Sequence, residues 1–143
     1  LPHRCSVGQA HIANRRNEVS LTMNAYQEVL AVVDDYFHGL FLGDTARLRE
    51  VFHPDAILFA DIKGQPYSKR LDDYLEIVAN RQSPRELGET FRMKALSVEV
   101  LGDIANVRVH CPMLGFNYYD YLAFVRRDGR WLIVNKLFTH IEP

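Results

Sequence analysis

The sequence predicts an α+β fold, with three helices near the N-terminus packed on one face of a curved, mixed or antiparallel sheet. Three observations carry this. Residues 23–42 repeat apolar side chains at helical spacing, and two shorter helical patterns follow before residue 82. Beyond residue 90 the chain is rich in β-branched and aromatic residues and is punctuated by Gly102-Asp103 and Asp128-Gly129. Helices that precede a run of strands segregate on one face of a sheet rather than alternating with it. The 143 residues suit one domain, and 48% hydrophobic with 24% charged residues is a globular composition.

The elements follow in order. From Met23 to Leu42, apolar residues fall at Tyr26, Val29, Leu30, Val33, Tyr36, Phe37, Leu40 and Phe41, the stripe of an amphipathic helix. Thr22 or Asn24 serves as its N-cap, and Gly43 closes its end. Asp44 caps a short helix that directs Leu48, Val51 and Phe52 inward, and His53-Pro54 stops it. Ala56–Ala60 reads as a first strand and residues 63–66 as a turn. Ser68 caps a third helix with Leu71, Tyr74, Leu75 and Val78 on its apolar stripe, and Asp72 and Asp73 favour its positive end. Ser83-Pro84 ends it. Strands follow over 90–101, 104–111, 118–126 and 131–139, the last two joined by the Asp128-Gly129 hairpin turn.

Residues 1–22 differ from the rest. They carry Arg4, Arg15 and Arg16 against a single acid, Glu18, and the first methionine is Met23, where the helical pattern begins. The segment reads as an N-terminal extension or leader, dispensable for folding, with 23–143 as a single pocket-bearing domain. It lacks the apolar stretch of a secretory signal. No apolar run approaches the roughly 18 residues of a membrane helix. A formal net charge of −1 offers no electrostatic footprint for nucleic acid. Cys5 and Cys111 form no CxxC pattern and read as ordinary thiols of a reducing cytoplasm. The histidines His3, His11, His38, His53, His110 and His140 have no metal-ligand spacing, so no metal or cofactor is expected. His38, four residues after Asp34, suits an exposed ion pair.

The phrase YFHGLFLGDTARLREVFHPDAILF resembles the opening of the nuclear transport factor 2-like superfamily, and DYLAFVRRDGRWLIVNKLF resembles its final hairpin. Together they are most similar to its SnoaL-like and lumazine-binding branch, over about residues 24–141. The resemblance implies a cone-shaped, cystatin-like α+β barrel around a pocket, commonly in a homodimer. It is weak on function, because members include ketosteroid isomerases, scytalone dehydratase, polyketide cyclases and binding domains.

An enolising isomerase of this kind needs a carboxylate base and hydroxyl or protonated carboxyl donors for the oxyanion. Laid against that pattern, Tyr36 takes the place of the tyrosine donor, and Tyr121 stands where the isomerase has a carboxylic acid. The base's place falls on Ala60, which cannot act. Its neighbour Asp61 points to the opposite face of a regular strand. What the resemblance leaves is a pocket rich in phenols. If Tyr121 faces inward, so do Asn117, Tyr119, Ala123 and Val125; the other parity presents Tyr118, Asp120, Leu122 and Phe124.

The expected function is therefore the binding of a small apolar or aromatic molecule by Tyr36, Tyr119, Tyr121 and Phe138. The alternative is a cofactor-independent lyase or isomerase that uses Asp61 or Asp120 with His110 as an acid–base pair. A third reading is a protein-interaction module. The aromatic strand at 116–125 suggests a two-fold interface on the sheet of at least about 1,200 Å².

Overall fold

A computed structural model describes residues 23–143; the expectations for 1–22 lie outside the described residues. Three helices, α1 (Ala25–Leu42), α2 (Thr45–Val51) and α3 (Leu71–Asn80), pack on a six-stranded sheet of β1 (Phe52–Ile62), β2 (Gln65–Arg70), β3 (Lys94–Leu101), β4 (Ile104–Met113), β5 (Phe116–Arg127) and β6 (Arg130–His140). The strand order is β2-β1-β6-β5-β4-β3. Among the described strands only the β1–β6 pair, second from the β2 edge, is parallel. The sheet is curved but open, with β2 and β3 as its edges, so the helices rather than strand closure complete the cone.

Local chemistry sets the helix ends. Asn24 caps α1 through a reciprocal box: its Oδ1 accepts from the Gln27 amide at 2.9 Å, and Gln27 Oε1 accepts from the Asn24 amide at 3.0 Å. Gly43 adopts the left-handed cap (φ 66°), and Asp44 Oδ1 accepts from the Arg47 amide to start α2. The inward face of α1 buries Val29, Val33, Tyr36, Phe37 and Leu40, whereas Tyr26 and Leu30 at the edge of its stripe are exposed. Gly39 lets α2 approach α1, since a Cβ there would lie 2.6–2.7 Å from the Leu48 side chain.

Two elements differ from expectation. β1 begins at Phe52, before Pro54. Its pairing with β6 is irregular between Phe52 and Ile57, and a proline without an N–H is tolerated in such a break. β2 was not expected. Its mostly polar sequence QPYSKR carries no apolar alternation because it is a solvent-exposed edge. Ser68 therefore sits opposite Phe59 in the sheet, and Arg70, without a side-chain bond, occupies the cap of α3.

The sheet's two faces are distinct. The inner face presents Leu58 and Ala60 from β1, Asp120, Leu122 and Phe124 from β5, and Val107, Val109 and Cys111 from β4 to the helices. β6 changes parity midway. Asn135 pairs with Ala123, but Ile133 pairs with Phe124, so Val134 is an extra, bulged residue. Consequently Trp131 and Ile133 face inward, and so do Lys136 and Phe138. Trp131 fills core space and donates its indole N–H to Glu28 at 3.0 Å. Across the outer face, Phe59, Leu137, Tyr121 and Arg108 stand in register on four adjacent strands.

The tight α1–α2 crossing predicts that Gly39→Ala destabilises the fold by about 1–3 kcal/mol through overpacking. Urea denaturation measures this, and an unchanged midpoint would show that Leu48 can move aside.

Candidate functional site

The inner face of the sheet brings buried polar groups together around a cavity of about 170 Å³. From α1, the Tyr36 hydroxyl donates to Asp120 Oδ2 at 2.6 Å. From β6, Lys136 Nζ donates to the Tyr74 hydroxyl of α3 at 3.0 Å. Asp120 and Lys136 are almost wholly buried, at 2% and 3% exposure. Lys136 Nζ also lies 4.5 Å from the Phe138 ring centroid, 4.6 Å from that of Tyr74 and 5.4 Å from that of Tyr36, an aromatic surround that favours a cation. Asp120, Lys136, Tyr74 and Phe138 all line the cavity, together with Arg81, Cys111, Tyr67 and Tyr118.

Electrostatics follow from this geometry. Burial pushes the Asp120 carboxyl above its ordinary range, against the opposing pull of Lys136 and the Tyr36 hydrogen bond. Burial alone would lower Lys136, but the Tyr74 hydroxyl and the Asp120 carboxylate outweigh it and hold the ammonium above its usual value. Lys136 is thus a buried cation at neutral pH. Burial and Asp120 raise the Tyr36 hydroxyl and the Cys111 thiol well above their ordinary values, so neither is a ready nucleophile. Cys111 lies near the carboxylate but makes no well-formed hydrogen bond to it. Asp120 Oδ1 is left without a partner, as is Arg81 Nη2. Unpartnered buried polar atoms beside a cavity mark a place for a ligand or water.

Larger depressions lie elsewhere. One of about 740 Å³ sits near Lys63, Arg92 and His110, and a groove of about 560 Å³ runs over the outer face between Leu96, Tyr121 and Leu137. The smaller inner cavity is the candidate site, because among the described residues the buried titratable groups with shifted pKa values converge there.

Of the residues expected from sequence, Asp120 and Phe138 line this cavity, and Tyr36 stands behind it through its hydrogen bond to Asp120. Tyr119 and Tyr121 do not. They share one face, as alternation requires, but it is the outer one, and Tyr121 is 52% exposed. On this strand the carboxylate that faces inward is Asp120, one residue before Tyr121. Asp61 also faces outward, where its Oδ1 accepts from the Gly64 amide. His110 lies on that same outer face, stacked on Tyr119 at 4.4 Å with Nε2 2.6 Å from Asn117 Oδ1. Asp61 and His110 are separated by the two intervening strands β6 and β5, and Asp120 points the other way. The expected His110 acid–base pair is not formed. His38 sits at the surface beside Asp34, as its spacing predicts, with Nδ1 2.8 Å from the Asp34 carbonyl oxygen and 3.5 Å from its carboxylate.

Sequence reasoning missed Lys136, Tyr74 and Arg81. Tyr74 carried a signal, a hydroxyl on the apolar stripe of a helix, like that of Tyr36. Lys136 carried none, since regular alternation from Trp131 would turn it outward.

Comparison with known proteins agrees with this fold. A family described as "Putative lumazine-binding" matches residues 24–139. The chain belongs to that family. Its fold is that of NTF2-like proteins. An NTF2-like protein of Methylobacillus flagellatus KT superposes with a TM-score of 0.75 at 19% identity, covering 85% of this chain and 95% of that one. One from Silicibacter pomeroyi DSS-3 gives 0.70 at 22% identity, covering 81% and 95%. In sequence, a protein of Cladobotryum sp named "Aldolase FrzH" is 25% identical over 123 residues, 86% of this chain and 96% of that one. Among the described residues no helix of this NTF2-like chain is long and apolar enough to cross a membrane.

The buried Tyr36 predicts a pH response. An unfolded tyrosine loses its proton near 10.0, whereas folded Tyr36 keeps it to higher pH. Above that pH the folded state binds more protons than the unfolded one, so stability falls as pH rises. Lys136, raised above 10.5, acts in the same direction. Urea denaturation between pH 7 and 11 should show a decline beginning near pH 10. Tyr36→Phe should cost about 1–3 kcal/mol at pH 7 by leaving Asp120 unpaired, and should make the alkaline decline shallower. An unchanged slope in the variant would contradict this assignment.

Proposed function

We propose that the protein binds a small, largely apolar carbonyl compound in the inner cavity and acts on it as a cofactor-independent lyase of the aldol type. The observation that carries this reading is that a buried ammonium and a buried carboxylate line one cavity, the carboxylate's second oxygen having no partner. Lys136 has three donor protons and one protein acceptor, Tyr74. A substrate carbonyl oxygen beside Nζ would meet a preorganised positive charge in a water-poor site. Asp120, made more basic by burial, would accept the proton of a β-hydroxyl. The bond between the α- and β-carbons then breaks, the β-carbon leaves as an aldehyde, and the α-carbon becomes an enolate held by Lys136. Return of the proton from Asp120 to the α-carbon restores the enzyme. The aldolase name of the Cladobotryum relative supports this class of chemistry. The absence of a carboxylate at Ala60 speaks against steroid-type isomerisation.

Release of benzaldehyde from 4-hydroxy-4-phenylbutan-2-one tests the reading. Lys136→Met and Asp120→Asn should each lower turnover by about 10²-fold or more, with circular dichroism reporting whether the fold is kept. A wild-type protein that is stabilised by the ketone but never cleaves it would reduce the function to binding alone.

The second part of the proposal is a homodimer through the outer face, working in the cytoplasm. Phe59, Leu137, Tyr121 and Leu96 are each 39–52% exposed on that face. The register of β1, β6 and β5 makes the first three a continuous apolar row. A free, buried Cys111 suits a reducing compartment. Light scattering at micromolar concentration should give twice the chain mass, and Leu137→Glu should give the monomer. A monomeric wild type would overturn the dimer.

A further inference from the structure

We propose that the ligand of the inner cavity is a monoanion, a small aromatic carboxylate whose carboxylate group is taken by Arg81. This rests on the inner cavity being the binding site and names the class of molecule it takes.

The first observation is charge. The charge-bearing side chains that line the cavity are Asp120 and Lys136, both buried, and Arg81, which is half-buried. Two cations stand against one carboxylate, so the cavity carries an unbalanced positive charge, and a bound monoanion would neutralise it. Leaving a buried charge uncompensated is costly, whereas supplying its partner recovers that cost. The second observation is an orphan donor. Arg81 Nη2 is buried at the cavity and has no hydrogen-bond partner. A guanidinium edge presents parallel donors that match a carboxylate, and such bonds are shorter and stronger than neutral ones.

The third observation is the lining between the cations. Tyr67 and Tyr118 both pack edge-on to Phe138, with ring centroids 5.4 Å and 5.8 Å away. Both hydroxyls are raised by burial, while Arg81 and Lys136 oppose that rise. The two phenols therefore lie within the field of both cations. Aromatic edges around a ligand suit a flat ring. A volume of about 170 Å³ admits a single substituted ring. Arg81 follows the last residue of α3, whereas Lys136 lies on the strand opposite. A carboxylate on Arg81 and a carbonyl near Lys136 would thus hold the two ends of one small molecule.

The test compares benzoate with benzamide, which has the same shape and no charge. Binding is measured by isothermal titration to the full chain and to Arg81→Gln. The expected result is that benzoate binds wild type at least about tenfold more tightly than benzamide. Arg81→Gln should bind the two alike while melting at the wild-type temperature without ligand. If Arg81→Gln does not fold, Arg81→Lys serves instead: it keeps the charge, loses the paired donors and should reduce the preference. Equal binding of the two probes to wild type, or a full preference retained without Arg81, overturns the carboxylate assignment and leaves the cavity as a site for neutral ligands. Failure of both probes to bind overturns the inner cavity as a site for ring-bearing ligands, and this assignment with it.

Discussion

Lys136 is 3% exposed, its ammonium inside a cone whose walls are otherwise largely apolar. Removing such an ion from water costs several kcal/mol even after relaxation, so the surrounding structure has to compensate for it. It does so from three directions. The Tyr74 hydroxyl accepts a hydrogen bond, the rings of Tyr74, Phe138 and Tyr36 stand around the charge, and the Asp120 carboxylate supplies the opposite sign. Asp120 in turn depends on the Tyr36 hydroxyl. Helix α1, helix α3 and strands β5 and β6 are thereby tied to one another through a single charged group. Replacing any partner leaves a buried charge less well satisfied.

This arrangement divides the sheet into two surfaces with separate chemistry. The inner face combines core packing with the buried polar set. The outer face carries Asp61, His110, Tyr119 and Tyr121 in contact with each other or with solvent. Side chains one residue apart on β5, Asp120 and Tyr121, therefore belong to different environments: one is fully enclosed and the other half exposed. In an alternating strand an alignment error of one position exchanges the two faces. On β5 it is Asp120, not Tyr121, that faces inward.

The bulge at Val134 has a similar consequence on β6. Without the extra residue, Trp131 and Ile133 would be followed inward by Asn135 and Leu137, and the lysine would face outward. With it, Lys136 and Phe138 enter the cone. A bulge of one residue thus places the charge on which the polar set depends.

The fold class, the helix stripes, the Asn24 or Thr22 choice of cap, the Gly43-Asp44 junction and the Asp128-Gly129 hairpin were legible in the sequence. Each is governed by contacts within a few residues, where spacing and capping chemistry act directly. Tyr36 was legible as a hydroxyl on an apolar stripe that needed a partner, and Asp120 as one of two open parities. The partner itself, 84 positions away, was not. Edge strand β2 lacked an apolar period because most of its residues see solvent and Tyr67 alone of its aromatic or aliphatic side chains turns to the cavity, and the parities of β5 and β6 were fixed by pairing across the sheet. Lys136, Tyr74 and Arg81 became a group only because α3 packs on β1 and β2, next to β6. Local sequence determines which elements form, but the side of a strand that a residue occupies is a property of its register with neighbours, and only the tertiary structure decides it.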